Sequence, residues 1–418
     1  MKVLLAPHGS RGDVQPQLIL GEELLQRGHR VTLAAPPNFR VDAETRGFVF
    51  VPVGQDMHEV LQANRAMTET HPLVALPGQL RLLREHLVQQ VDSMFAVTHD
   101  PDIVVAAGLS FAAKMVADQQ RVPHVFCCYT LSAMLSAEHP PAVAPIFGLP
   151  RLGNRALWSA IALTFQLTLG NKLNQLRRLR GLAPDRGSWQ AIHASQVILA
   201  QDRVMGELPS DTPGNNVHVP ALVPHPDRAA PLSDLLERFL RGAGIGPGPA
   251  SPVVYLGFGS MPTVDRAAVV RIAVELFEHH GARVILHSPY AEDANAELPP
   301  GVFSVGNTDH TSLFPRVDLI VHHGGAGTTA AALRSGVPQL IVPHIVDQFF
   351  HGRRIAELGV GPAPVPKPKL TTTAIAHAVQ NRFKYWAKAQ ALRSSVAPEG
   401  GAKQAADHLE SLTRRPTS

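Results

Sequence analysis

The stretch HHGGAGTTAAALRSGVPQLIVPHIVDQ, residues 322–348, decides the fold. With the preceding Leu319–Val321 it opens as a buried strand, LIVHH. It turns on GGAG, whose bare backbone admits close approach, and enters the helix TTAAALRSG, with Thr328 or Thr329 near its cap and Gly336 closing it. PQLIVPH then reads as another buried strand, and strand, helix and strand in succession define a parallel sheet covered by helices. Free amides at the helix start and the positive end of its dipole favour an anion, so the glycine turn reads as a phosphate cradle, with His323 as a further donor. Gly325 to Ala330 also fits GxGxxA, with Asp347 about twenty residues on, as in a dinucleotide fingerprint. That fingerprint belongs to the first strand of its unit, whereas several strands precede this one, so the dehydrogenase reading is set aside. Asp347 and Gln348 place a carboxylate beside an amide, a pair suited to vicinal sugar hydroxyls.

Outward from this stretch the alternation continues. VVYLGFGS, ARVILHSP and LIVHHGG are strands separated by helical segments such as RAAVVRIAVELFEHHG. Upstream lies a Pro- and Gly-rich region, and before it VLLAP, HRVTLAAP, FVFVPVG, DIVVAAG and VPHVFCCY repeat the same rhythm. The expectation is an α/β protein of two doubly wound, Rossmann-like lobes whose parallel sheets face a cleft: residues 1–222 a first lobe, 223–251 a linker region, 252–385 a second lobe, and 386–418 a helical tail packing back on the first. Open parallel sheets bind ligands beyond the carboxyl ends of their strands, so function is expected in the strand-to-helix loops.

The chain's 418 residues suit two domains, and 45% hydrophobic with 17% charged residues suits a soluble globular protein. The net charge of +4 comes without a dense basic run, which argues against nucleic acid as a partner. Cys127 and Cys128 are adjacent, a poor disulfide geometry, which fits a reducing cytoplasm. MKVLLAP is too short an apolar run for a signal peptide. LWSAIALTFQLTLG, residues 157–170, is too short to span a bilayer and reads as a buried helix in preference to a membrane-surface one.

GSRGDVQP, residues 9–16, leaves the first strand and enters a helix, placing Asp13 near the helix N-terminus. Together with the 322–361 region, this motif resembles the nucleotide-sugar-dependent glycosyltransferases of family 1, of GT-B fold. The nearest branch is that of sterol glucosyltransferases and bacterial enzymes that glycosylate antibiotics and other natural products. The resemblance implies that His323, Gly325, Gly327 and Thr328 hold the donor diphosphate, with Ser260 of GFGSM nearby, and that Asp347 and Gln348 hold the donor sugar. It makes Val305, Gly306 and Asn307 of VGNTDHTSLF nucleobase candidates. The family's usual tryptophan is missing there, which leaves uridine and thymidine both open. Ser10 and Gly12 would contact the acceptor or the diphosphate.

Asp13 would act as general base, deprotonating an acceptor hydroxyl that displaces the nucleoside diphosphate with inversion. A hexose or deoxyhexose would pass from a UDP- or dTDP-sugar to a lipophilic small molecule such as a polyketide, macrolide, sterol or flavonoid. Met57, Phe111, Met134, Phe147, Trp158 and Phe165 are apolar candidates for the acceptor pocket, although core packing is the simpler role for most. No cofactor or metal ion is expected. The one DxD, Asp100-Pro101-Asp102, precedes its strand and reads as a turn. His8 and Ser10 lie beside Asp13, but no GxSxG elbow supports a hydrolase; His8 and His322 read as structural. Two alternatives stand beside the transferase: a GT-B nucleotide-sugar epimerase and a noncatalytic sugar-nucleotide-binding relative. Monomer and homodimer, and peripheral contact with a membrane, are left open.

Overall fold

The computed structural model describes residues 1–63, 72–97, 100–185, 196–241, 251–259, 265–287 and 298–413. They form two units, Met1–Val223 with Gly400 onward, and Pro224–Glu399.

The first unit is built on seven parallel strands: β1 (Lys2–His8), β2 (Arg30–Ala35), β3 (Val49–Pro52), β4 (Ile103–Gly108), β5 (His124–Cys128), β6 (Gln196–Ala200) and β7 (Asn215–Val219). Their order is β3-β2-β1-β4-β5-β6-β7. Helices on both faces require near-continuous apolar strands, and Val3 to Ala6 of β1 and Ile103 to Ala107 of β4 are accordingly all buried. Helices α1 (Arg11–Gln26), α2 (Pro72–Val97), α3 (Phe111–Gln120), α4 (Arg151–Phe165) and α5 (Asn171–Leu179) belong to this unit. Val14, Leu18 and Leu24 of α1 pack into the core against Val105 and Val125.

The second unit repeats the plan with β8 (Val253–Gly257), β9 (Arg283–His287), β10 (Val302–Val305), β11 (Leu319–His322) and β12 (Gln339–Ile341), in the order β10-β9-β8-β11-β12 and again all parallel. Each sheet thus runs third-second-first-fourth-fifth in its own numbering. The order reverses between β1 and β4 in one, and between β8 and β11 in the other. Such a reversal opens a crevice at the carboxyl ends of the two middle strands.

The domain boundaries differ from those expected. The linker region holds a helix, α6 (Asp234–Arg241), whose Leu236 and Phe239 are buried with Val253, Tyr255 and Ile285 in the second unit's core. The buried Arg283 binds the carbonyls of Phe239 and Leu240 at its end. Residues 242–250 of that linker lie outside the described residues. The tail passes back to the first unit at Gly400, not at 386. Before that point Trp386 packs on the second unit's core, Gln390 donates to the Gly336 carbonyl and Arg334 to the Ala397 carbonyl. At the crossing the backbone approaches so closely that a Cβ on Gly401 would lie 2.0 Å from the Pro220 oxygen. After α7 (Arg266–His280), α8 (Ala326–Ser335), α9 (Gln348–Leu358) and α10 (Phe383–Arg393) of the second unit, α11 (Ala402–Thr413) docks on α1. Its Ala405, Ala406 and Leu409 enter the first unit's core, and Arg27 bridges to Asp407 and Glu410. Among the described residues no helix is long and apolar enough to cross a membrane.

Candidate active site

Asp13 stands at the first unit's switch point. Ser10 caps α1, its hydroxyl accepting from the Gly12 amide at 3.3 Å, while Asp13 Oδ2 accepts from the Ser10 amide at 2.9 Å. This reciprocal capping box fixes the carboxylate. Pro16, one turn on, has no N–H for the Gly12 carbonyl, which is left without its ladder partner beside Asp13. Two glycines make room for the carboxylate. A Cβ on Gly9 would meet Asp13 Oδ2 at 2.2 Å, and one on Gly108, at the end of β4 with φ +62°, would meet Asp13 Oδ1 at 2.7 Å and the His8 carbonyl at 2.5 Å. Asp13 therefore fills a slot between the ends of β1 and β4 that admits no side chain on either wall.

Several of the supports were not evident from the sequence. The Tyr129 hydroxyl, which burial keeps protonated far above its ordinary range, donates to the Asp13 carbonyl and accepts from Gln17 Nε2 at 3.0 Å. Buried Gln90 of α2 accepts from the amides of Phe111 and Ala112 and donates to the Leu109 carbonyl, setting the turn that follows Gly108. His8 is buried over Gly54, its pKa pushed down to about 4 by burial and by nearby His86, so it is neutral and structural. Asp100 and Asp102 are tied to the side chain and amide of Lys2 at the opposite, amino-terminal edge of the sheet. Among the described residues no group of three or more His, Cys, Asp or Glu side chains could hold a metal ion.

In the second unit β11 ends at His322. Its Nδ1 accepts from the Gly324 amide at 3.1 Å, so the proton sits on Nε2, which donates to Gln339 Oε1 at 2.9 Å. Burial holds this imidazole to a pKa of about 4, and its role is structural. His323 is half-buried and points into the switch point. Its ring lies where a Cβ on Gly325 would come within 2.5 Å of Nε2, and it faces Gly259, the positive-φ glycine after β8, at 3.2 Å from that position. Burial, followed by the fields of His322, His344, His310 and His287, holds His323 well below its usual pKa. It is a neutral donor or acceptor, not a cation.

The α8 start differs slightly from expectation: Gly325 is the N-cap and no side chain caps it. Thr329 is buried and turns its hydroxyl back to the Gly325 carbonyl, whereas Thr328 is half-buried in the first turn. The amides of the first turn, including Gly327, have no intrahelical acceptor and face outward with the helix dipole behind them. His351, one turn after Asp347, donates from Nδ1 to the Gly324 carbonyl at 2.7 Å and so ties α9 to the glycine turn. Its spacing from Asp347 is the sequence signal that could have found it.

Asp347 caps α9 without bonding its amides, and burial raises its pKa despite the opposing field of His351. Gln348 is buried at the start of α9. Its Oε1 is consumed by the amides of His344 and Ile345, at 2.8 and 3.0 Å, leaving only the Nε2 donors for a ligand. The pair thus offers acceptors from Asp347 and donors from Gln348. Val346, just before them, sits at φ +47°, a strained conformation for a β-branched residue. The side chain of Val305 is in the core with Phe314 and Leu313. Gly306 is half-buried and Asn307 exposed at the end of β10. Ser260 lies outside the described residues.

Of the apolar acceptor candidates, Phe111, Met134, Trp158 and Phe165 are buried core residues. Trp158 also borders a cavity of about 470 Å³ with Leu135, Ala162, Arg155 and Asp211, under the loops that follow β5 and β6.

Comparison with known proteins places this geometry. Residues 3–129 match the glycosyltransferase family 28 N-terminal domain, and residues 274–412 the erythromycin biosynthesis protein CIII-like C-terminal domain. Glycosyltransferase GtfE of Amycolatopsis orientalis is 33% identical over 97% of this chain and 96% of its own. The vancomycin aglycone glucosyltransferase of the same organism is 32% identical, covering 100% and 99%. The crystal structure of glycosyltransferase VinC in complex with dTDP has a TM-score of 0.69 at 23% identity and covers 99% of both chains. The chain belongs to the nucleotide-sugar-dependent glycosyltransferases of family 1, with the GT-B fold, in the branch of sterol and bacterial natural-product glycosyltransferases.

Proposed function

We propose that this enzyme moves a hexose or deoxyhexose from a dTDP- or UDP-sugar to a hydroxyl of a lipophilic small molecule, with inversion at the anomeric carbon. The observation that carries the donor half is the order of groups along one sheet edge. Gly306 and Asn307 follow β10, Gly259 and His323 follow β8 and β11, and Asp347 and Gln348 follow β12. At about 4.8 Å per strand this row runs about 19 Å, in the sequence base, diphosphate, sugar, which is the order of parts in a nucleotide sugar. The dTDP bound to VinC supports a thymidine donor.

In this reading the α8 amides, Thr328 and neutral His323 hold the diphosphate by hydrogen bonds and dipole. They stabilise the charge that grows as the C1–O bond to diphosphate breaks. Asp13 accepts the acceptor's proton while its oxygen bonds to C1 from the opposite face. The amides carry the anion without a divalent ion, so activity should survive EDTA. For the acceptor, the 470 Å³ cavity opens under loops of the same carboxyl edge as Asp13, with β5 two strands from β1. That separation, about 10 Å, suits an elongated aglycone, and the name of the vancomycin aglycone relative points the same way.

Calorimetric titration of dTDP and UDP into the wild type and into His323→Ala tests the donor site without needing an acceptor. Binding of one nucleotide, weakened about tenfold by the substitution (about 1.4 kcal/mol), is expected. Binding of neither would remove the reading. Product mass and anomeric configuration with an aglycone panel then separate transfer from epimerisation.

A further inference from the structure

Residues 157–170, expected to be a buried helix, belong to a longer helical segment, 151–179, that is buried on one face only. Trp158, Ile161, Phe165 and Leu169 enter the first unit's core. On the other side Leu152, Ala156, Ala160, Leu163 and Leu167 are all exposed, the three leucines at 78%, 60% and 64%. At 100° per residue the four on α4 fall within an arc of about 80°, a continuous apolar stripe, and Leu167 is exposed in the π-helical turn Gln166–Gly170 that continues it. Five apolar residues turned to water over four helical turns are more than scattered surface hydrophobics require. A second feature identifies what covers them. From 151 to 180 the chain has no acidic residue and six basic ones: Arg151, Arg155, Lys172, Arg177, Arg178 and Arg180. Arg177 and Arg180 are neutralised by Asp118 and Asp92, and Arg151 by Glu138 and Asp211. Arg155, Lys172 and Arg178 have no carboxylate partner among the described residues.

We infer that this face is a docking surface for a bilayer with anionic headgroups. The stripe lies in the interfacial layer and the uncompensated cations meet lipid phosphates beside it. A helix with an apolar face flanked by Lys and Arg, too short to span, is the arrangement that lies in the plane of a membrane interface. A second copy of this chain would bring the same uncompensated cations towards each other, whereas an anionic surface complements them. The inference is independent of the donor chemistry proposed above.

The test is co-sedimentation of the full chain with vesicles of phosphatidylcholine, alone or mixed with phosphatidylglycerol. Two double variants accompany it, Leu163→Glu with Leu167→Glu, and Arg155→Glu with Arg178→Glu. Thermal unfolding and dTDP or UDP binding serve as controls that each variant is folded. Binding to the mixed vesicles, lost in the leucine pair and weakened at least about fivefold per charge in the arginine pair, is the expected result. No binding by the wild type, or binding that neither variant alters, overturns it. So does a concentration-dependent dimer that the leucine pair dissolves, because the stripe would then be a self-interface.

Discussion

The two sheets load the same switch point in opposite ways. In the first unit the functional side chain, Asp13, follows the first strand, and the glycine that makes room for it, Gly108, follows the fourth. In the second unit the glycine, Gly259, follows the first strand of its sheet, and the side chain, His323, follows the fourth. The electrostatics differ as well. Asp13 is half-buried and doubles as part of a helix cap, so its position is fixed by bonds that also stabilise the fold. The second site is made of backbone amides and neutral imidazoles, and its carboxylate Asp347 is pushed towards protonation by burial. One crevice presents a base, and the other presents donors to an anion. A shared topology therefore sets where ligands go, and the local burial of charge sets what each site can do.

Acid is expected to act on both units, since burial lowers His8 and His124 of the first to about 4 as well, but nucleotide binding reports on the second site alone. His322 and His344 titrate at about 4, against 6.5 in an unfolded chain, and His323 is lowered too. Groups with a depressed pKa bind protons more readily when unfolded. Their contribution is complete above pH 6.5 and is lost as pH falls towards 4, by up to about 3 kcal/mol per histidine. Melting curves from pH 7.5 down to 4.5 should show a falling midpoint, with nucleotide binding lost early in that fall. A midpoint flat across this range would mean that these rings are hydrated in solution.

Next in size is Asp13→Asn, which keeps the acceptor for the Ser10 amide but removes the base. Initial rates should drop about a thousandfold, equivalent to about 4 kcal/mol, while dTDP or UDP affinity stays unchanged. A loss below tenfold would assign proton removal to another group. Gly108→Ala tests the slot itself. Its Cβ would push on Asp13 Oδ1 and on the His8 carbonyl, and misplacement of the carboxylate should lower the rate by about ten- to a hundredfold. Nucleotide binding in the second unit should again be spared.

Much of this was readable from the residues, for physical reasons. Buried parallel strands must be continuous apolar runs, and GDVQP and HHGGAGTT are strand-to-helix turns whose glycines and cap residues act locally. What escaped was whatever depends on contacts distant in sequence. Tyr129 and Gln90 reach Asp13 and its neighbouring turn from other elements, and the turn onto His344 consumes the Gln348 oxygen. Val305 was a candidate through the resemblance of VGNTDHTSLF to the family's base-binding segment, and its side chain lies in the core. The stripe on α4 was missed because an apolar sequence shows only that a helix is hydrophobic, not which of its faces finds a partner.

A smaller effect is expected at the glycine turn. Gly325→Ala would bring a methyl to 2.5 Å from His323 Nε2 and displace the ring from the diphosphate position. Calorimetry should show about tenfold weaker nucleotide binding, about 1.4 kcal/mol, with the product's anomeric configuration unchanged. Equal affinity would mean that the amides alone hold the anion, which would sharpen the contrast with a first site that depends on one side chain.

The smallest effect concerns Val346, the one β-branched residue with positive φ among the described residues. A left-handed conformation at a residue with a Cβ costs roughly 1–2 kcal/mol, and asparagine tolerates it best among nonglycine residues. Val346→Asn should therefore raise the second unit's stability by about 1 kcal/mol, read as a higher melting temperature. Gln348 provides the reason such strain persists, since its Oε1 draws the amides of His344 and Ile345 inward and forces the chain to turn before Asp347. If the variant is more stable but discriminates less between donor sugars, the strain positions Asp347. If it is less stable, packing of the half-buried valine outweighs the backbone term, and the turn is held by its side chain as the first unit's turn is held by Asp13.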